Sequence, residues 1–121
     1  MAGRRADGTL QAEVLGVLWA AGEVALTPGQ VNETLGERLA YTTVMTVLTR
    51  LWRKGLVERI ERGRAFAYRA VVSETELATR KMSQTLQGAS DQFSVLAGFV
   101  GLLSQRERAE LAKLLGESEA R

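Results

Sequence analysis

Leu10, Val14, Leu15, Val17 and Leu18 recur at the three-and-four spacing of one helix face, and Gly22 closes the pattern. A first helix is therefore predicted over about residues 9–21. In "TPGQVNETLG", Thr27 is placed to cap a short second helix, with Pro28 at its first position and Gln30 as the capping-box partner. Gly36 ends it. Val44, Met45, Val47, Leu48, Leu51 and Trp52 then mark a third helix over about 42–54, stopped by Gly55. After Gly55 the period shortens to two. In "LVERIERGRAFAYRAV" Ile60, Phe66 and Tyr68 alternate with Arg59, Glu61 and Arg69, and "RGR" at 62–64 splits the run into a β-hairpin. "SETE" at 73–76 opens a helix through Leu77, Met82 and Leu86, and the stretch from Gly88 to Asp91 breaks it. "QFSVLAGFVGLL" makes a strongly apolar helix, and "SQRE" at 104–107 caps a last one ending near Gly116. The class expected is mainly α with a small β-hairpin.

The third helix is unusual in what it leaves out. "YTTVMTVLTRLWRKG" carries four threonines and several bases but no acid. Threonine is a mediocre helix former, because its branched β-carbon restricts χ1. Advancing about 100° per residue puts Val44, Met45, Val47, Leu48, Leu51 and Trp52 on one arc. Thr42, Thr43, Thr46, Thr49, Arg50, Arg53 and Lys54 fill the other. A DNA groove suits such a face. Arginine donates bidentately to guanine, threonine bonds base edges and packs its methyl on thymine, and hydroxyls and lysines hold phosphates that would repel a carboxylate. A short capped helix precedes this one by a tight connection, as in a helix-turn-helix. A hairpin tipped by Arg62 and Arg64 follows. Three helices and a basic hairpin make a winged helix, with the third helix in the major groove and the wing astride the backbone.

Composition narrows the alternatives. Hydrophobic content of 45% in 121 residues suits a folded domain. Cysteine and histidine are both absent, which removes thiolate and imidazole ligands, nucleophiles and bases. We expect no cofactor, no metal and no catalytic residue. An enzyme would need a carboxylate or lysine site, and Glu76 and Glu107 already serve caps. A winged-helix module that binds protein instead of DNA is the alternative, and it requires an apolar patch where the threonines and bases stand. No apolar run reaches the roughly 18 residues of a membrane span. Gln11 and Glu13 interrupt the apolar stretch near the start, so a cytoplasmic protein without membrane insertion is expected. The net charge of +2 says little by itself; the distribution of charge carries the nucleic-acid reading.

The last third holds many large apolar residues but is too short to build a sufficient core of its own. We divide the chain into a winged-helix DNA-binding domain at 1–72 and a helical dimerisation segment at 73–121. The dimer contacts are assigned to Leu77, Phe93, Leu96, Phe99, Val100, Leu103, Leu111 and Leu114.

Three stretches, "AEVLGVLW" at 12–19, "YTTVMTVLTRLWRKGLV" at 41–57 and "RGRAFAYRAVVSETEL" at 62–77, together resemble the penicillinase-repressor family, the BlaI/MecI/CopY group. The resemblance implies a homodimeric repressor on a palindromic double-stranded DNA operator. Carried over by position, it turns Thr42, Thr43, Thr46 and Arg50 to the major groove and sets Arg62 and Arg64 on the wing. It fades after residue 88. The CopY-type members sense metal through C-terminal cysteines, and this chain has none. Other members are inactivated when a membrane sensor-transducer protease cuts an Asn-Phe bond. The corresponding bond here is Gly98–Phe99, with glycine in the place of asparagine.

Overall fold

The computed structural model describes residues 7–119. They form α1 (Asp7–Ala21), α2 (Pro28–Thr34) and α3 (Tyr41–Arg53), then strands β1 (Val57–Arg62) and β2 (Ala65–Ala70). Helices α4 (Glu74–Gln87), α5 (Gln92–Leu102) and α6 (Gln105–Glu119) follow. The class is mainly α with a hairpin wing, as the hydrophobic pattern predicts. Two compact units divide between Leu77 and Ala78, inside α4. The division anticipated after residue 72 lies earlier, because Leu77 is partly buried against the core of the first unit.

Local chemistry sets the helix starts. Thr27 and Gln30 bond each other's backbone amides at 3.2 and 2.9 Å, closing a capping box before Pro28. Ser73 with Glu76, and Ser104 with Glu107, repeat that reciprocal pair at the starts of α4 and α6. Asp91 caps α5 by accepting from the amide of Ser94. The last helix does not stop near Gly116 but continues to Glu119. A single interior glycine costs a helix only about 1 kcal/mol, and no proline follows to end it.

Val14, Leu15 and Leu18 of α1, Val31 of α2, Val44, Val47, Leu48 and Leu51 of α3, Val57 of β1 and Tyr68 of β2 form one buried cluster. Each large side chain so buried stabilises by roughly 1.5–3 kcal/mol. The buried stripe of α3 is narrower than the sequence suggests. Met45 and Trp52 are 37% and 38% exposed and lie along one edge. Positions 44, 47, 48 and 51 span about 100° of the helix, and 45 and 52 fall outside that arc.

The hairpin also departs from expectation in one respect. Arg62 pairs with Ala65 across the two-residue turn Gly63-Arg64. Gly63 has φ +64°, the sign a type II′ turn requires at that position. This turn length fixes the register, so odd positions of β1 share a face with even positions of β2. Arg59 stands opposite Tyr68, and Ile60 stands opposite Ala67 on the other face, 40% exposed. The polar residue, not the apolar one, joins Phe66 and Tyr68. Leu26 adds one rung to the outer edge of β2 through two bonds with Tyr68, at 2.9 and 2.7 Å.

In the second unit, α5 has no buried residue. Phe93 and Leu102 are 87% and 86% exposed, and Val95, Leu96, Phe99 and Val100 are also open. A helix apolar on every side is normally covered.

Two outcomes follow. Leu48→Ala should lower the unfolding free energy by about 2–5 kcal/mol in urea titrations, and Met45→Ala by well under half of that. The hydroxyl and then the amide of Ser94 donate to Asp91, at 2.6 and 3.1 Å, and hold its carboxyl below the usual aspartate range. A depressed folded-state value means the cap is intact above that range and lost as pH falls through it. Asp91→Asn should flatten the acid limb of a circular-dichroism titration.

Candidate nucleic-acid interface

The turn between α2 and α3 is tied from both sides. The side-chain amide of Asn32 donates to the carbonyl of Leu39 at 2.9 Å. Arg38 bonds Glu13 of α1 at 2.7 Å and its own turn at the Leu35 carbonyl at 2.9 Å. Gly36 and Glu37 both take positive φ there, and the chain reverses into α3. Ala40 offers α3 no side-chain cap, and its first turn carries no acid. That end of the helix thus has no anion of its own, the arrangement that favours a phosphate.

Thr42, Thr46, Thr49 and Arg53 form one line along α3, at spacings of four, three and four, on the side away from Val44, Val47, Leu48 and Leu51. Thr42, Thr46, Arg50 and Arg53 are exposed, and Thr43 and Thr49 are partly buried. The Thr46 hydroxyl donates to the carbonyl of Thr42 at 2.9 Å, which leaves its lone pairs outward. Thr43, Arg50 and Lys54 fall to the flank nearer α1, where the Lys54 ammonium donates to Gln11 at 2.8 Å. By this geometry Arg53 is central on the outer face and Arg50 is off-centre. Thr49 completes the line.

The two wing arginines differ. Arg62 donates from Nη1 to the carbonyl of Ala25 at 3.2 Å, so its head is partly committed to the body of the unit. Arg64 occupies the second turn position, exposed, with no hydrogen-bond or ion-pair partner among the described residues. A third arginine escapes the sequence reading. The Arg59 guanidinium lies 3.6 Å from the ring centre of Trp52 and 4.2 Å from that of Phe66. Its signal was the two-residue turn, which sets the parity of the strands.

Of the residues expected at a dimer contact, Phe99, Leu103, Leu111 and Leu114 line one groove of about 380 Å³ between α5 and α6. Arg106, Glu107 and Glu110 rim it. Phe93, Leu96 and Val100 are exposed on α5. Leu77 belongs to the first unit and packs on its core. The Gly98–Phe99 bond lies inside α5. A Cβ built at Gly98 or Gly101 meets nothing within 4 Å, so packing within the chain does not require either glycine. Among the described residues there is no group of His, Cys, Asp and Glu able to hold a metal. No helix among them is long and apolar enough to cross a membrane.

Comparison with known proteins agrees with this geometry. The family described as Penicillinase repressor matches residues 8–117. The transcriptional regulator BlaI of Mycobacterium tuberculosis, in each of two strains, is 41% identical over 118 residues, covering 93% of this chain and 85% of that protein. Among solved structures, a point variant of the S. aureus protein MepR aligns with a TM-score of 0.51 at 22% identity, over 92% of this chain and 76% of that one. A second MepR variant, bound to an oligodeoxyribonucleotide, aligns with a TM-score of 0.50 at 22% identity, over 91% and 75%. At that identity the likeness concerns the fold alone, a winged helix. The chain belongs to the penicillinase repressor family and is a winged-helix transcriptional regulator, not an enzyme.

Proposed function

We propose that the protein is a homodimeric repressor that binds a palindromic operator in the cytoplasm and is released when its C-terminal unit is cut or unpaired. The observation that carries the DNA reading is the acid-free face of α3. Thr42, Thr43, Thr46, Arg50, Arg53 and Lys54 occupy it, opposite a buried stripe that prevents the helix from turning it inward. In this reading α3 lies in the major groove, where Thr42, Thr46 and Arg53 meet base edges and Arg50 and Lys54 take flanking positions. Arg64 and, less freely, Arg62 hold phosphate or the minor groove beside it.

The second element of the proposal is assembly. An α5 apolar on all sides, together with the groove of Phe99, Leu103, Leu111 and Leu114, calls for a cover, and a second copy supplies one of matching chemistry. Joining two heads makes the second half-site contact nearly intramolecular, which raises affinity by orders of magnitude without a new DNA contact. The two α3 helices then lie about one DNA turn apart, roughly 34 Å or a multiple. Cleavage at Gly98–Phe99 by a membrane sensor-transducer protease would divide α5 and release the operator. That bond is helical, so the helix must open locally before any protease can reach it.

Three measurements test this. Arg53→Ala should lower operator affinity by roughly 1–3 kcal/mol and relax preference at one position per half-site. Equal weakening on random DNA would reduce Arg53 to a phosphate contact. Arg64→Ala should flatten the dependence of log K on log salt by about one unit per head, and more than Arg62→Ala does. Phe99→Asp should leave helix content intact, shift sedimentation from dimer to monomer and abolish most operator affinity. A variant that stays dimeric places the interface elsewhere.

A further inference from the structure

Arg59 is an arginine held by rings and by no acid. Its guanidinium lies over Trp52, in the last turn of α3, and over Phe66, in β2. Glu58, its neighbour in the chain, belongs to the opposite face of the strand and is taken by Arg69. Glu61, two residues on and opposite Phe66, makes no ion pair with it. Among the described residues Arg59 has neither a salt bridge nor a hydrogen bond. A strand residue stabilised only by packing would ordinarily be apolar, and Ile60 next to it would serve, yet Ile60 is the residue turned outward.

Rings hold a guanidinium through its charge and its planar face and take up none of its N–H donors in hydrogen bonds. Those donors are the part that recognises phosphate bidentately. The side chain is also already fixed, so an incoming anion orders little that was free, in contrast to the long exposed Arg64. Its place in the fold supplies the ligand. Trp52 belongs to the helix read as entering the major groove, and Phe66 to the wing read as straddling the backbone. A sugar–phosphate strand must therefore pass the joint between them.

We propose that Arg59 is a preorganised DNA-phosphate clamp at the helix–wing joint, with Trp52 and Phe66 as its positioning residues. The inference rests on the DNA-binding reading above and extends it to a residue outside the threonine face and the wing tip. One phosphate per half-site is engaged by a donor whose orientation is set before DNA arrives. The contact carries no base preference of its own, and it locks the angle between wing and reading helix.

The test uses the full-length protein and the operator bound by the wild type. R59M keeps the stem and loses the charge. It should weaken binding roughly tenfold to a hundredfold, equally on operator and random DNA, and reduce the salt slope by about 0.9 per head. R59K keeps the charge without the planar stack, and should retain the slope while losing affinity several-fold. Methylphosphonate replacement along each half-site should reveal one phosphate whose neutralisation weakens the wild type but not R59M. Circular dichroism and thermal melts report folding, and R59Q, whose planar amide still stacks, replaces R59M if that variant does not fold. An uncharged folded variant with the wild-type slope overturns the clamp and leaves Arg59 as a brace. A wild type that binds no operator overturns the DNA reading and this inference with it.

Discussion

Everything outward-facing on α3 is positioned by what is buried behind it. Val44, Val47, Leu48 and Leu51 insert between α1, α2 and the base of the hairpin. Rotating the helix by even one residue, about 100°, would exchange a buried valine for a threonine or an arginine. An unpaired buried polar group costs on the order of 1–3 kcal/mol, and a charge costs more. The core therefore acts as a register stop. It also sets the wing, because Val57 and Tyr68 belong to the same cluster and the turn at Gly63 fixes the rest of the hairpin from there.

The same core explains how a chain of net charge +2 can offer a basic surface. Bases on the other sides of the first unit are neutralised where they stand. Arg38 meets Glu13, and Arg69 meets both Glu23 and Glu58. Exposed pairs of this kind contribute only about 0–1 kcal/mol each to stability, so their larger effect is on where uncompensated charge remains. It remains at Arg53, Arg59 and Arg64, none of which has a carboxylate partner among the described residues. Charge is segregated by pairing, with little need for excess.

What the sequence disclosed divides by the range of the interaction responsible. The caps at Thr27, Ser73 and Ser104 were legible because both partners lie within four residues, and propensity and geometry agree there. The stripe of α3 was legible because its period repeats. Met45 and Trp52 were not, since whether an edge position is buried depends on neighbours from other elements. Alternation leaves parity open, and only the two-residue turn puts Arg59, in place of Ile60, on the face of Phe66 and Tyr68. Lys54 with Gln11 and Arg62 with Ala25 join residues more than thirty positions apart, and nothing local announces them. Leu77 lies at a boundary, where the helix period is the same on both sides and only packing tells which unit owns the residue.

The two units solve opposite problems. The first buries its apolar residues within one chain and leaves polar groups outside, so it is complete by itself. In the second, α5 has its phenylalanines and leucines outward, at 41–87% exposure for Phe93, Leu96, Phe99 and Leu102. Under the proposed assembly, this incompleteness is what makes regulation economical in structure. Operator affinity depends on two heads acting together, and each head carries its own buried cluster. Opening α5 then removes the coupling and leaves the winged helices folded. A repressor whose dimer contact ran through the core of the head could not be released so cleanly, because disturbing the contact would also disturb Val44, Leu48 and the face they hold in place.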